Sequence, residues 1–235
     1  MSGHSKWANI HRKKEANDKV KGSVFTKMAK AITIAVKKGG GVGDPDMNFA
    51  LRLAVDKARG VNMPKENIDR AIDKGTGKGE SIELAELTIE GFAPGGVAVM
   101  VEAVTDNSNR TVAELRNLME KQGGRMGEPG SVAYLFEKVG IVNYAGQMSD
   151  ELELALIDQG MVDWVQEPES GVVYTEPEKL HSVVTLLLPQ LAQVTGTLGY
   201  RPLSTVPVED ETKVQNFLEM VAEHDDVQEV YANFA

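Results

Sequence analysis

None of the 235 residues is a cysteine. That excludes disulfides, thiolate catalysis and cysteine-ligated zinc together, and it fits a reducing, cytoplasmic setting. Histidine is scarce: His4, His11, His181 and His224 are scattered, with no spacing typical of a helical metal site. Long apolar runs are missing too. The stretch Val183 to Leu188 stops at Pro189, far short of the roughly 18 residues a membrane span requires, so no membrane partner is expected. No signal-peptide pattern is present, and residues 1–22, though basic, have more Lys than Arg and no apolar face for a mitochondrial presequence.

Catalytic patterns are also lacking. Gly3-His4-Ser5-Lys6-Trp7 begins like a nucleophile elbow, but Trp7 stands where the last glycine belongs. The Gly39–Gly43 and Gly75–Gly79 clusters do not continue as Gly-Lys-Ser/Thr into a helix. Carboxylates beyond residue 80 are spread over every element, so no acid/base pair stands out. Asp44/Asp46 and Asp225/Asp226 read as caps and solvated acids rather than ion ligands. The expectation is a non-enzymatic chain with no cofactor, no metal and no small-molecule substrate.

What is present is a strong charge asymmetry. Residues 1–80 hold 17 Lys+Arg against 9 Asp+Glu, and residues 81–235 hold the other 8 against 26. Residues 1–38 alone carry 10 basic and 2 acidic side chains. One end therefore suits a polyanion, while the remainder is repelled by it.

Residues 1–22 read as a basic arm with Lys6, Trp7, Arg12, Lys13, Lys14, Lys19 and Lys21. A helical domain follows over 23–79. Its first helix, 23–38, has an apolar stripe of Phe25, Met28, Ile32, Ala35 and Val36. At about 100° per residue, Lys27, Lys30, Lys37 and Lys38 gather on another face. Gly39-Gly40-Gly41 ends the helix, Asp44-Pro45 signals a second running to Arg59, and Pro64 opens a third that stops near Gly75. Gly75–Gly79 reads as a linker. The apolar period then changes to two over 83–105, with a helix from Arg110 to Gln122. Residues 131–205 read strand, helix (149–159), strand (161–167), strand (171–175), helix (177–192), strand: a ferredoxin-like βαββαβ order. The final helix (210–224) and strand (227–234) lack partners and are expected to return to the sheet begun at 83–105. The fold class is thus α+β: a three-helix bundle with a basic arm, then two ferredoxin-like α/β domains, one (131–205) inserted in the other (80–130 plus 206–235).

The arm and the first helix have a mechanism for binding. Lys and Arg neutralise phosphates and release counterions, an affinity indifferent to sequence. Trp7 either stacks on an exposed base or packs on the bundle as a staple. A second cluster, Asp106, Asn107, Ser108, Asn109 and Arg110, opens a helix after a strand. It serves either as a capped turn, which the chemistry alone favours, or as amides and a guanidinium presented to a ligand.

Across nearly its whole length the chain resembles the YebC/PmpR family. The resemblance rests on Gly3-His4-Ser5-Lys6-Trp7-Ala8-Asn9-Ile10, Phe25-Thr26-Lys27, Gly39-Gly40-Gly41 and Asp44-Pro45-Asp46. It continues through Glu90-Gly91-Phe92-Ala93-Pro94-Gly95-Gly96, Thr105 to Thr111, Gly130 to Phe136 and Asp226 to Tyr231. The family's usual Lys-His-Arg-Lys appears as His11-Arg12-Lys13-Lys14, with its basic character kept. The resemblance implies three domains and favours a functional Asp106–Arg110 loop. It also implies a nucleic-acid partner, promoter DNA for a transcriptional regulator or ribosomal RNA for a ribosome-associated translation factor that eases synthesis of proline-rich stretches. No helix-turn-helix with a dimerising element is evident, and the acidic remainder would be repelled by a long duplex.

Overall fold

The structure is a computed structural model that describes residues 21–78 and 83–234, the side chain of Lys21 aside. The arm residues Lys6, Trp7, Arg12, Lys13, Lys14 and Lys19 lie outside the described residues. The described chain divides into two compact units, residues 136–201 and the residues on either side of them.

The outer unit begins with three helices, α1 (Lys21–Lys38), α2 (Phe49–Gly60) and α3 (Lys65–Gly75). Val24, Met28, Ile32, Ala35 and Val36 of α1 bury against Leu51, Val55 and Ala58 of α2 and Ile68 and Ala71 of α3. The expected stripe is there, with Val24 buried and Phe25 at its margin. Gly40 and Gly41 stop α1 in the left-handed region, at φ of 70° and 82°.

The second helix starts later than Asp44-Pro45 suggests. Asp44 Oδ1 accepts the Asp46 amide at 2.9 Å and makes a turn, and Asn48 is the cap. Asn48 Oδ1 accepts from Leu51 N at 3.1 Å, while its Nδ2 donates to Ala35 O and Val42 O at 3.0 and 3.1 Å. An acid at 44 can cap, but only an amide can also donate, here to one carbonyl of α1 and one of the loop after it. A Cβ at Gly39 would lie 2.1 Å from Asn48 Nδ2, so glycine is required for that approach. Asn48→Ala should cost about 2 kcal/mol, a cap plus two buried hydrogen bonds, measured by chemical denaturation. A loss below about 0.5 kcal/mol would contradict the bridging role.

Next comes a hairpin of β1 (Ala85–Phe92) and β2 (Ala98–Thr105), then α4 (Ser108–Lys121) and the short β3 (Arg125–Met126). Residues 136–201 form the inserted unit, with β4 (Phe136–Ala145), α5 (Asp150–Asp158), β5 (Met161–Gln166), β6 (Ser170–Thr175), α6 (Leu180–Leu187) and β7 (Ala192–Pro202). The outer unit resumes with α7 (Glu211–Ala222) and β8 (Val227–Ala232). Leu203 N donates to Leu135 O at 2.8 Å where the chain leaves and returns.

The two sheets run β3-β1-β2-β8 and β5-β6-β4-β7. In the inserted sheet β6 lies between β4 and β5 and is antiparallel to both, which is the split βαβ arrangement. In the outer sheet β1 is antiparallel to β2 and β3, so β2–α4–β3 is split around β1 in the same way, although a hairpin precedes it. The last strand pairs with β2 as expected, Val99 opposite Ala232 and Val101 opposite Val230. One correction concerns the helix expected over 177–192. It is a 3-10 turn at Pro177–Lys179 followed by α6, which stops at Leu187 because Pro189 cannot continue it.

Val99, Val101, Leu115, Met119, Phe217, Val221 and Val230 fill the space between the outer sheet and its helices α4 and α7. Register puts Glu86, Glu90, Met100, Glu102, Glu229 and Tyr231 on the opposite face, where α1 touches β2 and β8. The central strand β2 is therefore buried on both faces, which explains why its sequence is a run of apolar residues rather than an alternation.

Candidate nucleic-acid interface

The loop Asp106–Arg110 leads from β2 into α4. Asn107, with φ of −147°, caps the helix, its Oδ1 accepting from Arg110 N at 3.1 Å. The helix thus starts two residues before the expected Arg110, and its cap is Asn107 rather than Ser108 or Asn109, either of which the sequence allows. Asp106, Asn107, Asn109 and Arg110 are all exposed. Below them lies a buried support of Thr105, Thr111 and Asp226. Asp226 is only 3% exposed, and Val104 N donates to its carbonyl at 2.8 Å.

The Asp226 carboxylate receives three side chains. Lys30 Nζ donates to Oδ1. Thr111 Oγ1 donates to Oδ2 at 2.6 Å, and Arg110 Nη2 lies 3.4 Å from the same oxygen. Arg110 Nη2 also donates to Asp106 Oδ1 at 2.8 Å. An ionised carboxylate can only accept, so the single Thr111 proton is committed to it. Thr105 Oγ1, 2.8 Å from Thr111 Oγ1, then donates to it and accepts Asn107 N at 3.0 Å. A chain of bonds thus runs from the loop backbone to the buried acid.

Burial would raise the Asp226 pKa, but the bonds from Lys30, Thr111 and Arg110 outweigh it and hold the group at about 2, below its ordinary 3.8. The Arg110 guanidinium is raised in turn by its hydrogen bond to Asp106 and by Asp226. His224 Nδ1 accepts the Asp226 amide at 3.1 Å, which leaves the ring proton on Nε2, 3.1 Å from Glu114 Oε2. Among the described residues, Glu114, His224 and Asp226 form a group whose ligand atoms lie within 4.8 Å of one another. Lys30 and Arg110 already occupy the acid, and their charges oppose a metal ion there.

The structure corrects the basic face expected on α1. Lys27 is buried and its Nζ donates to Ala222 O, while Lys30 is drawn to Asp226 and to Asp225 O at 3.3 Å. Lys38 is exposed but pairs with Glu86 at 2.7 Å, and Lys37 is exposed. Lys57, which the sequence did not single out, pairs with Glu229. The four lysines do not form one open stripe, because the acidic face of the outer sheet meets α1. Asp225 and Asp226 are likewise not the solvated pair expected. Asp225 accepts the Ser23 hydroxyl at 2.7 Å, and Asp226 is the buried hub. No short-range pattern marks Asp226: only the pairing of β8 with β2 brings it beside Thr105 and Thr111.

The outcome is a hydrogen-bonded polar loop, carrying Asn107, Asn109 and Arg110, joined to Lys30 in the middle of α1 through one acid. The described residues thus form three N-terminal helices followed by two four-stranded sheets with their helices. The TACO1/YebC N-terminal domain model matches residues 5–78, and the TACO1/YebC second and third domain model matches residues 84–234. The chain belongs to the TACO1/YebC family. It is 44% identical over 238 residues to a "Probable transcriptional regulatory protein" of Acidithiobacillus ferrooxidans, covering 100% of this chain and 94% of the relative. It is also 44% identical over 240 residues to a protein of the same description from Chloroflexus aurantiacus, covering 99% and 95%. A crystal structure of a conserved hypothetical protein from Aquifex aeolicus matches with a TM-score of 0.83 at 40% identity, over 93% of this chain and 91% of that one.

Proposed function

We propose that this protein is a non-enzymatic, nucleic-acid-binding regulator of gene expression, with the arm supplying phosphate contacts and the Asp106–Arg110 loop supplying directed ones. The observation that carries this reading is the Asp226 clasp. It joins Arg110 to Lys30 in the middle of α1, while the neighbouring Asp225 accepts from Ser23 in the first turn of the same helix. Lys6, Arg12, Lys13, Lys14, Lys19, Lys21 and exposed Lys37 and Lys38 provide charge, and Trp7 a stacking surface. Asp106 and Asn107 hold Arg110, while Asn109 and Arg110 face the ligand. The relatives' description favours DNA as the target.

The second reading, a ribosome-associated translation factor, is favoured by one observation. Lys27 and Lys30 are turned inward, so α1 offers no broad basic face to lie along a duplex. A short basic segment and a hydrogen-bonded polar loop suit folded RNA, where grooves and unpaired bases are reached at points.

The test combines duplex binding with ribosome co-sedimentation, for the natural chain and a variant with alanine at Lys6, Trp7, Arg12, Lys13 and Lys14. Five phosphate contacts give a log–log salt slope of roughly −4.5 on duplex DNA, and the variant should flatten it and lose most of the affinity. Preference for a promoter over random duplex supports transcription. Migration with ribosomes, lost in the variant, supports translation. Binding to either that survives the five substitutions overturns the role given to the arm.

A further inference from the structure

The inserted unit carries a surface that its own fold does not explain. Helix α5 is anchored by Leu152 and Leu156, both buried. Leu154 and Ile157, three residues apart, are on the outward side and are 65% and 53% exposed. Val162, on edge strand β5 just beyond the Gln159-Gly160 turn, is 45% exposed. These apolar groups contribute little to a core, and Leu154 and Ile157 share one side of α5, where exposed apolar residues mark a binding face more often than scattered ones do.

Charge identifies what that face fits. Residues 136–201 hold 10 Asp+Glu against 3 Lys+Arg, a net of −7. Around the apolar pair on α5 stand Asp150, Glu151 and Asp158. Asp150 and Glu151 in the first turn also satisfy the helix dipole. Asp158 in the last turn opposes it, and no basic residue accompanies it there. Helix stability accounts for the first two acids and disfavours the third. A polyanion is repelled by this surface, and so is a second copy of the same unit.

We propose that α5 and the start of β5 form a docking surface for a basic amphipathic polypeptide segment, its apolar residues on Leu154, Ile157 and Val162 and its Lys or Arg residues against Glu151 and Asp158. This is a protein-binding site separate from the candidate nucleic-acid interface, and it does not rest on the function proposed for that interface. A chain of this kind would engage nucleic acid with one unit and a basic protein with the other.

The probe is a fluorescently labelled 18-residue amphipathic helical peptide of Leu and Lys, titrated against the full chain by anisotropy, with a Leu/Glu peptide as control. Leu154→Ala with Ile157→Ala removes the apolar part, and Glu151→Lys with Asp158→Lys reverses the charge. All four side chains are outward, so circular dichroism should be unchanged. Each pair should weaken the Leu/Lys peptide at least tenfold, amide shifts on binding should fall in 150–166, and the Leu/Glu peptide should not bind. The proposal is overturned if the Leu/Lys peptide does not bind the natural chain, binds either variant equally well, or shifts amides elsewhere. It is also overturned if sedimentation shows a dimer that Leu154→Ala with Ile157→Ala dissociates, or if those substitutions reduce oligonucleotide binding. The first result would assign the face to a second copy and the second to nucleic acid.

Discussion

Replacing Asp226 by alanine should destabilise the outer unit by about 3–5 kcal/mol, because it strands the Lys30 ammonium in a nearly closed site and removes the acceptor of Thr111. Asp226→Asn is the informative companion. It keeps the shape but directs amide protons at groups that are themselves donors. Hydrogen exchange resolved by peptide is the suitable measurement, because Trp164 fluorescence reports the inserted unit instead. The pH dependence has a definite sign. The folded carboxyl at about 2 lies below its ordinary 3.8, so its stabilisation, about 2 kcal/mol, is complete above pH 4 to 5. It is lost as pH falls from about 4 towards 2. The Asp226→Asn protein should lack that part of the acid transition, and an identical acid profile for the two proteins would refute the assignment. The loop should respond as well, with amides 107–111 exchanging faster in the variant while those of α5 stay unchanged.

The second large effect is expected at Glu90. This acid is buried on the α1-facing side of the outer sheet and accepts three backbone N–H groups, from Gly130 at 2.6 Å, Val132 at 2.7 Å and Ala133 at 2.8 Å. Burial raises its pKa, but those amides outweigh it and hold the group below the usual 4.5. Glu90→Ala leaves three donors without their shared acceptor and should cost about 3–4 kcal/mol. The stabilisation is present above the ordinary glutamate pKa and fades as pH falls below it. Amides 130, 132 and 133 should lose most of their exchange protection. If they remain protected, Glu90 is not their anchor. The same acid explains why Glu90-Gly91-Phe92 and Gly130 to Phe136 occur together in the sequence: one is the clasp of the other, at the point where the chain departs for the inserted unit.

How far the sequence could be read depended on the range of the forces involved. The stripe on α1 was legible because Met28, Ile32, Ala35 and Val36 obey a local period, and the end of α6 could have been placed from Pro189 alone. The order of elements in residues 136–201 was legible from alternating periods and turns. Lys27 and Lys30 were where the reading failed. Periodicity tells which residues share a face, but not which faces another part of the chain will cover. Lys27 and Lys30 meet partners 195 and 196 residues away. Asp44 and Asn48 both carry capping chemistry, and the choice between them was made by the carbonyls of Ala35 and Val42, which no local pattern marks as acceptors. Asp226 has the same history. Beside Asp225 and ahead of a strand it reads as solvated, and its burial follows only from the pairing of β8.

That distance along the chain has a consequence for synthesis. Arg110 and Asp226 are 116 residues apart, with the whole inserted unit made between them. The bundle can close its own core early, since Val24 to Ala71 are contiguous in translation. Its dock cannot form until β8 emerges and brings the acid. A nascent chain therefore carries its lysines unneutralised and its Asn107–Arg110 loop unbraced for most of its time on the ribosome, and acquires the finished surface only when β8 arrives.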